Sequence, residues 1–467
     1  MTRGHPGGSP LAEQLQGVPV TVMGLGLFGG GVAAARWLVA QGARVTVTDL
    51  RSEADLAPAI GELGNLPIEW RLGEHVAEDF ERTRWIVANP AVRPDNPWLE
   101  RGRSAGAGVT SELELFLLHA PCKAVLITGT QGKSSTTHFL AQLLGYAGHK
   151  ARAGGNIGRP LLAELADLGR EEVAVVEVSS YQLEYLERLP LERGAWVTDV
   201  VVTNLHSDHL ERHGTLEEYA SAKARALRAL RPGGRAWLPA SLALEGPFRE
   251  PLGPEIELFT WNGDGPRLTR RDGRFRLDGV DLGAEGDLGV AGEFQRDNSL
   301  VALGVAHALG ADAERLASAV ARLEGLPHRV EDLPPIGEVR VIDNGVSTTP
   351  DSTLAALGAV DGEVTLLVGG QPKRDLSFEE LVAQVARRKA RVVTFGAAGK
   401  ALLETFAGAG AEVRYVDQVP SAAVEALRLT PDGGTVLFSP ACASFDAYLN
   451  FRERALDFRS ALDQLRS

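Results

Sequence analysis

Cysteine is nearly missing: Cys122 and Cys442 are the only two in 467 residues. Two thiols cannot build a disulfide scaffold or a four-cysteine zinc site, and so low a count suits a reducing cytosol. No run approaches the ~18 apolar residues of a membrane-crossing helix. The opening segment MTRGHPGGSPLAEQLQG lacks the apolar stretch of a secretory signal. Positive charge is short as well: 48 Lys and Arg face 61 Asp and Glu, a net of −13. That balance argues against broad binding to nucleic acid or an anionic membrane surface, yet leaves room for a local basic pocket that holds phosphates. Lysine is the scarcer base, seven residues against 41 arginines. Arginine stands at most basic positions already, so the seven lysines mark places where a compact, deprotonatable amine is useful.

What is present reads as an ordinary globular chain, 44% hydrophobic and 23% charged. The length suggests about three domains. Residues 18–50 read strand, glycine-rich turn, helix, strand. A second such unit opens at KAVLIT, 123–128. EVAVVEV (172–178) and GAWVTDVVVTN (194–204) are near-continuous apolar runs, the pattern of strands buried on both faces. A helix is expected over 215–231, antiparallel hairpins over 235–292, and helices over 296–310 and 312–323. Glu324-Gly325-Leu326-Pro327 is a boundary. After it strands and helices alternate again, ending in a long helix from about 446. No internal repeat is visible, so the expectation is three α/β domains in series.

Five stretches carry chemistry. Gly24-Leu25-Gly26-Leu27-Phe28-Gly29 is a GxGxxG turn, with Asp49 at the end of the next strand. Its glycines let a diphosphate approach a helix N-terminus, whether from NAD or from a nucleotide sugar; the bare alternative is a tight strand–helix turn. Gly129-Thr130-Gln131-Gly132-Lys133-Ser134-Ser135 is a phosphate loop with two residues between its glycines, where the Walker pattern has four. Glu177, in EVSSYQLE, closes a buried strand at the edge where ligand sites form in such sheets, so it is either a metal ligand or a solvated strand end. His206, His209 and His213 put three of ten histidines within eight residues of NLHSDHLERH. Such clustering next to a phosphate loop points to ligands or a base. SPACAS, 439–444, offers small residues for close ligand approach or for a packing turn. Lys223, in EEYASAKARALRAL, reads on its own as a solvated helix lysine, and Cys442 as a small buried residue.

The order and spacing of GLGLFGGG, TGTQGKSSTT, GGNIG (154–158), EVSSYQLE, SDHLERHG, LPHRVE (326–331) and SPACASFDAYLNFRER (439–454) resemble the Mur ligases. These are ATP-dependent amide-forming enzymes that build the peptidoglycan stem peptide. Within the family the likeness is to the branch that adds D-glutamate to UDP-N-acetylmuramoyl-L-alanine (UDP-MurNAc-L-Ala). The resemblance implies an N-terminal Rossmann-like domain over 1–111, a central P-loop ATPase-like domain with antiparallel hairpins over 112–325, and a C-terminal Rossmann-like domain over 326–467. It places the UDP substrate against Leu27, Phe28, Asp49, Asn89, Asn156, Ser179 and Gln182, and ATP against residues 129–135, Asn298, Arg329 and Asn344. It places D-glutamate against Thr348, Lys373, Ser444 and Phe451. Two Mg²⁺ ions are implied at Ser134, Glu177, His209 and a carbamylated Lys223, which together with Lys133 form the catalytic set. Lys133, Lys223 and Lys373, three of the seven lysines, fall on family lysine positions.

There are departures. IDNGVSTTPDST replaces the usual Asn-Asp-Ser-Lys-Ala-Thr, with Asn344 and Val346 where Asp and Lys are common. Phe294-Gln295 stands for His-Asn, and Asn89-Pro90-Ala91 for Ser-Pro-Gly. The implied reaction passes through an acyl phosphate in a cytoplasmic monomer, with no nucleic-acid or membrane partner. Three alternatives stay open: another ATP-dependent amide ligase, such as another Mur ligase or a folylpolyglutamate synthase; an NAD-dependent dehydrogenase built on GLGLFG; and a degenerate regulatory protein.

Overall fold

The computed structural model describes residues 15–27, 29–157, 160–186, 197–244, 246–262, 267–290, 292–372 and 376–466. The chain forms two compact units: Met1–Asp287 with Asn298–Ala321, and Leu288–Asp297 with Arg322–Ser467.

The first unit holds two parallel sheets. One contains β1 (Pro19–Met23), β2 (Arg44–Asp49), β3 (Ile68–Leu72), β4 (Trp85–Ala88) and β5 (Gly108–Thr110), in the order β3-β2-β1-β4-β5. Connections leave β1 on one side and return to β4 on the other, so the loops after β1 and β4 flank the switch point where ligands enter such sheets. The turn after β1 needs its glycines. Gly24, Gly26 and Gly29 all have positive φ, and a Cβ on Gly31 would lie 2.2 Å from the Leu25 carbonyl oxygen.

The second sheet contains β6 (Lys123–Thr128), β7 (Ala151–Gly155), β8 (Val173–Glu177), β9 (Val197–Val202), β10 (Arg235–Pro239) and β11 (Glu257–Trp261), in the order β11-β10-β9-β6-β8-β7. All its pairings are parallel. Strands β8 and β9 are buried at every position, as their unbroken apolar text implies. The expectation of hairpins across 235–292 is corrected here. Strands β10 and β11 extend the parallel sheet, joined by the short helix Ala240–Ala243, because Ala236, Trp237 and Leu238 are buried beside β9. Among the described residues of this stretch only β12 (Leu268–Arg271), β13 (Arg274–Leu277) and β14 (Val280–Ala284) form an antiparallel meander. The helix expected over 215–231 is shorter: Leu216–Ala224, then a tighter 3₁₀ turn, Arg225–Ala229.

The second unit carries a six-stranded sheet of β15 (Glu331–Ile336), β16 (Val339–Asp343), β17 (Val364–Gly369), β18 (Arg391–Phe395), β19 (Val413–Tyr415) and β20 (Thr435–Ala441), in the order β15-β16-β20-β17-β18-β19. Only β15 runs antiparallel to its neighbour. Apolar clusters cover both faces of this sheet. The terminal helix starts at Phe451 and not near 446, since Ser444–Asn450 is a loop whose Ser444 carbonyl accepts from the amides of Ala447 and Tyr448. Among the described residues no helix is long and apolar enough to cross a membrane.

Candidate functional site

The phosphate loop leaves β6 at Thr128 and feeds the helix Lys133–Tyr146. Gly129 has φ 138° and Gly132 has φ 79°. A Cβ on Gly129 would lie 2.0 Å from Thr203 Oγ1, and one on Gly132 would lie 2.3 Å from Asn298 Oδ1. Any larger residue at either place would push the loop off its supports. The end of β9 supplies those supports. The Asn204 side chain accepts from the Gln131 amide at 2.9 Å and donates to the Gln131 carbonyl at 3.1 Å, while Thr203 Oγ1 donates to the same carbonyl. Thr130 Oγ1 donates to the His206 carbonyl and accepts from the His206 amide. Asn204 and Thr203 were not among the expected site residues. Their signal was polar text, TN, at the end of the apolar run VTDVVV.

Two lysines meet on this loop. Lys133 Nζ donates to the carbonyls of Gly129 (3.0 Å) and Thr130 (2.8 Å). Lys223 Nζ donates to the Gly129 carbonyl at 2.8 Å and lies 4.3 Å from the Tyr219 ring centroid. The reading of Lys223 as a solvated helix lysine is corrected: its residue is 1% exposed. Burial, then the charge of Lys133, push its amine well below the usual lysine range, against the opposing pull of Asp208 and Glu177.

Glu177 ends β8, next to β6. Its Oε1 accepts from Asn156 Nδ2 at 2.9 Å, and its Oε2 is buried with no hydrogen-bond partner among the described residues. A buried carboxylate oxygen left unmatched is costly, and a cation at that position would match it. Ser134 is buried in the first turn of the loop's helix. His209 adopts the left-handed conformation at φ 54°, with Nδ1 3.3 Å from both Tyr181 Oη and Glu211 Oε1. Asn298 receives a hydrogen bond from Thr136 at 3.3 Å, beside the loop.

Around the first sheet's switch point, Asp49 Oδ2 accepts from the amides of Leu25 (2.9 Å) and Gly26 (3.3 Å), and Oδ1 from Arg51 (2.9 Å). Asn89 Nδ2 donates to the Gly24 carbonyl at 3.2 Å, joining the loops after β1 and β4. Leu27 is half exposed on the rim. Ser179 and Gln182 close on each other as a capping box: Ser179 Oγ accepts from the Gln182 amide, and Gln182 Oε1 from the Ser179 amide at 2.9 Å. Phe28 and Lys373 lie outside the described residues.

In the second unit, Asn344 is buried and donates to Ser439 Oγ at 2.9 Å. Thr348 and Ser444 follow β16 and β20, neighbouring strands, and Phe451 opens the terminal helix. Arg329 follows His328, whose φ is 65°. His328 Nδ1 lies 2.7 Å from Asp343 Oδ2, and the ligand atoms of His328, Glu331 and Asp343 are within 4.8 Å of one another. That trio already has its cation, because Arg459 donates to both Asp343 and Glu331.

A phosphate loop crossed by two lysines and backed by a buried carboxylate defines a nucleotide-dependent transferase or ligase site. The Mur ligase middle-domain model matches residues 127–306, and the MurD-like N-terminal-domain model matches residues 19–111. The chain belongs to the Mur ligase family. It is 34% identical to a protein of Geobacter metallireducens over 97% of this chain and 98% of the relative, and 36% identical to one of Geobacter sp. strain M21 over 94% and 97%. Both relatives are named UDP-N-acetylmuramoylalanine–D-glutamate ligase. The fold is shared with Thermotoga maritima UDP-N-acetylmuramate-alanine ligase MurC (TM-score 0.56, 20% identity, 95% of this chain and 99% of that one) and with Acinetobacter baumannii MurF (TM-score 0.58, 16% identity, 97% and 91%). Thermotoga maritima MurF, solved in complex with ADP, also matches (TM-score 0.57, 18% identity, 91% and 95%).

Proposed function

We infer that this chain joins D-glutamate to UDP-MurNAc-L-Ala at the expense of ATP, in peptidoglycan precursor synthesis. The observation that carries the reading is the convergence of Lys133 and Lys223 on the Gly129 carbonyl, beside a Glu177 oxygen with no hydrogen-bond partner among the described residues. The amides of residues 129–135 cradle the ATP phosphates, and the Lys133 ammonium swings from its two carbonyls to the β- and γ-oxygens. Asn298, Arg329 and Asn344 serve the rest of the nucleotide. Leu27, Phe28, Asp49, Asn89, Asn156, Ser179 and Gln182 line the UDP-sugar path. Thr348, Lys373, Ser444 and Phe451 receive D-glutamate.

A carboxylate oxygen of the L-alanyl group attacks the γ-phosphorus and ADP departs, leaving an acyl phosphate. The D-glutamate amine then attacks the acyl carbon, the tetrahedral adduct collapses, and inorganic phosphate leaves with the former carboxylate oxygen. The protein supplies placement and charge neutralisation throughout, with His209 near the reacting oxygens. Ser134, Glu177, His209 and Lys223 as a carbamate would hold two Mg²⁺ ions, which when bound screen the phosphate charge. The buried, unmatched oxygen of Glu177 fits a cation, and the low basicity of Lys223 fits an amine that can take up CO₂. We assign the activity to a cytoplasmic monomer. The middle-domain match speaks against the dehydrogenase alternative.

Phosphate release from ATP with UDP-MurNAc-L-Ala is the test, run against a panel of D- and L-amino acids. D-Glutamate alone should support turnover. A better rate with any other amino acid would overturn the acceptor assignment.

A further inference from the structure

Arg212 sits in SDHLERHG, three residues after His209, on the four-residue helix Leu210–His213. Its text reads as an exposed helix charge, yet its side chain is only 8% exposed. The guanidinium reaches about 120 positions back along the chain. Nη1 donates to the Ala91 carbonyl at 2.9 Å, and Nη2 to those of Pro90 (3.1 Å) and Val92 (3.0 Å). Three consecutive carbonyls of the loop after β4 therefore converge on one cation. Glu184, at the end of EVSSYQLE, balances the charge, with Oε2 2.6 Å from Nη2. The planar group also stacks over Tyr181 at 4.5 Å, and Tyr181 Oη lies 3.3 Å from His209 Nδ1. Two further bonds close the junction: Tyr185 Oη donates to the Val92 carbonyl at 2.7 Å, and Arg93 Nη1 donates to the Arg212 carbonyl at 3.1 Å.

The loop supplies part of its own shape, with the Val92 amide on the Asn89 carbonyl at 2.9 Å. Asn89 uses its side-chain oxygen on the Ala91 amide at 3.0 Å and its side-chain nitrogen on Gly24. That turn leaves the carbonyls of 90–92 to donors from elsewhere in the chain, Arg212 and Tyr185. Only a guanidinium offers five N–H groups in a rigid plane that can take several carbonyls and a carboxylate together.

We propose that Arg212 is a positioning residue that fixes the loop of Asn89 relative to His209, and so sets the span that the UDP-linked substrate must cover between its diphosphate and its reacting carboxylate. The proposal rests on the function inferred above. Such a residue acts on one substrate of three. A misplaced loop weakens capture of the UDP substrate, while ATP and D-glutamate meet other parts of the chain.

The test uses the full-length enzyme with Arg212→Lys and Arg212→Gln. Lysine keeps the charge and the pairing with Glu184 but cannot gather three carbonyls. Both variants should raise KM for UDP-MurNAc-L-Ala by roughly tenfold or more, and leave KM for ATP and for D-glutamate within about twofold. Amide hydrogen exchange over residues 89–93 should quicken in both variants, with exchange over 123–128 unchanged. Parallel rises in all three KM values, or a fall in kcat alone, would show a merely structural role and overturn the proposal. So would unchanged exchange over 89–93. If the wild type turns over none of the three substrates, the functional reading has failed, and the exchange result still decides whether Arg212 holds the loop. If Arg212→Gln fails to fold, Arg212→Lys alone carries the decision.

Discussion

Lys223 is the residue whose chemistry its local sequence hides most. A lysine inside EEYASAKARALRAL has the spacing of a surface helix, and only the fold shows it buried against the phosphate loop. Lys223→Arg keeps the charge and the helix propensity but cannot become a neutral amine, so kcat should fall by roughly a hundredfold. Lys223→Ala should regain part of its activity with a small carboxylate such as formate. Wild-type rates in the arginine variant would remove the carbamate role. Glu112 makes a different point. Burial pushes its carboxyl up to about 7, opposed by a hydrogen bond from the Leu162 amide. Between about 4.5 and about 7 the folded chain holds a proton there that the unfolded chain has released, so this contribution to stability is full at low pH and is lost as pH rises through 7. Glu112→Gln mimics the protonated form. Thermal melts should show it more stable than the wild type at pH 8, with the gap narrowing as pH falls and closing below about pH 4.5. The phosphate loop was legible because seven neighbouring residues carry its text, whereas its supports, Thr203 and Asn204, lie some 70 positions on and were missed. Arg212 and Arg454 were not, because each reads locally as a helix charge and bonds to carbonyls far away. Arg454 is fully buried and donates to the carbonyls of Gly345, Ser347, Cys442 and Ala443.

At the scale of elements, the short helix Ser180–Leu183 shows how one motif can carry two demands. The likeness to the family puts Ser179 and Gln182 on the substrate path, and the structure has each closing the other's backbone amide. Ser179→Ala should cost about 1 kcal/mol in denaturant unfolding, the usual size of a lost N-cap. A larger effect on KM for the UDP substrate than on stability would indicate that the cap opens to bind it. The strand pattern was legible wherever apolar runs were unbroken, as in β8, β9, β17 and β20. It failed at β10 and β11, because turn-rich text around two short strands looks the same for a hairpin as for a parallel pair joined by one helical turn. The deciding fact, burial of Trp237 at 0% exposure beside β9, is a tertiary one.

At the scale of the whole molecule, the two parallel sheets of the first unit share one apolar cluster, while the sheet of the second unit has clusters of its own. The clusters of the second unit share no residue with those of the first. Unfolding should therefore depart from a single two-state transition. In calorimetry, UDP should raise the transition of the first unit and leave that of the second in place, since a ligand stabilises only the part that binds it. One unshifted transition with every ligand would contradict the proposed division of the sites. The two cysteines divide in the same way. Cys122 is buried in the first unit and Cys442 in the second, where burial pushes its thiol up to about 12. Neither is a thiolate at neutral pH, so an alkylating reagent should find the native enzyme silent. Under mild destabilisation each sulfur becomes a timer for its own half, and peptide mapping of the first alkylated site would report which half opens first, without any engineered label.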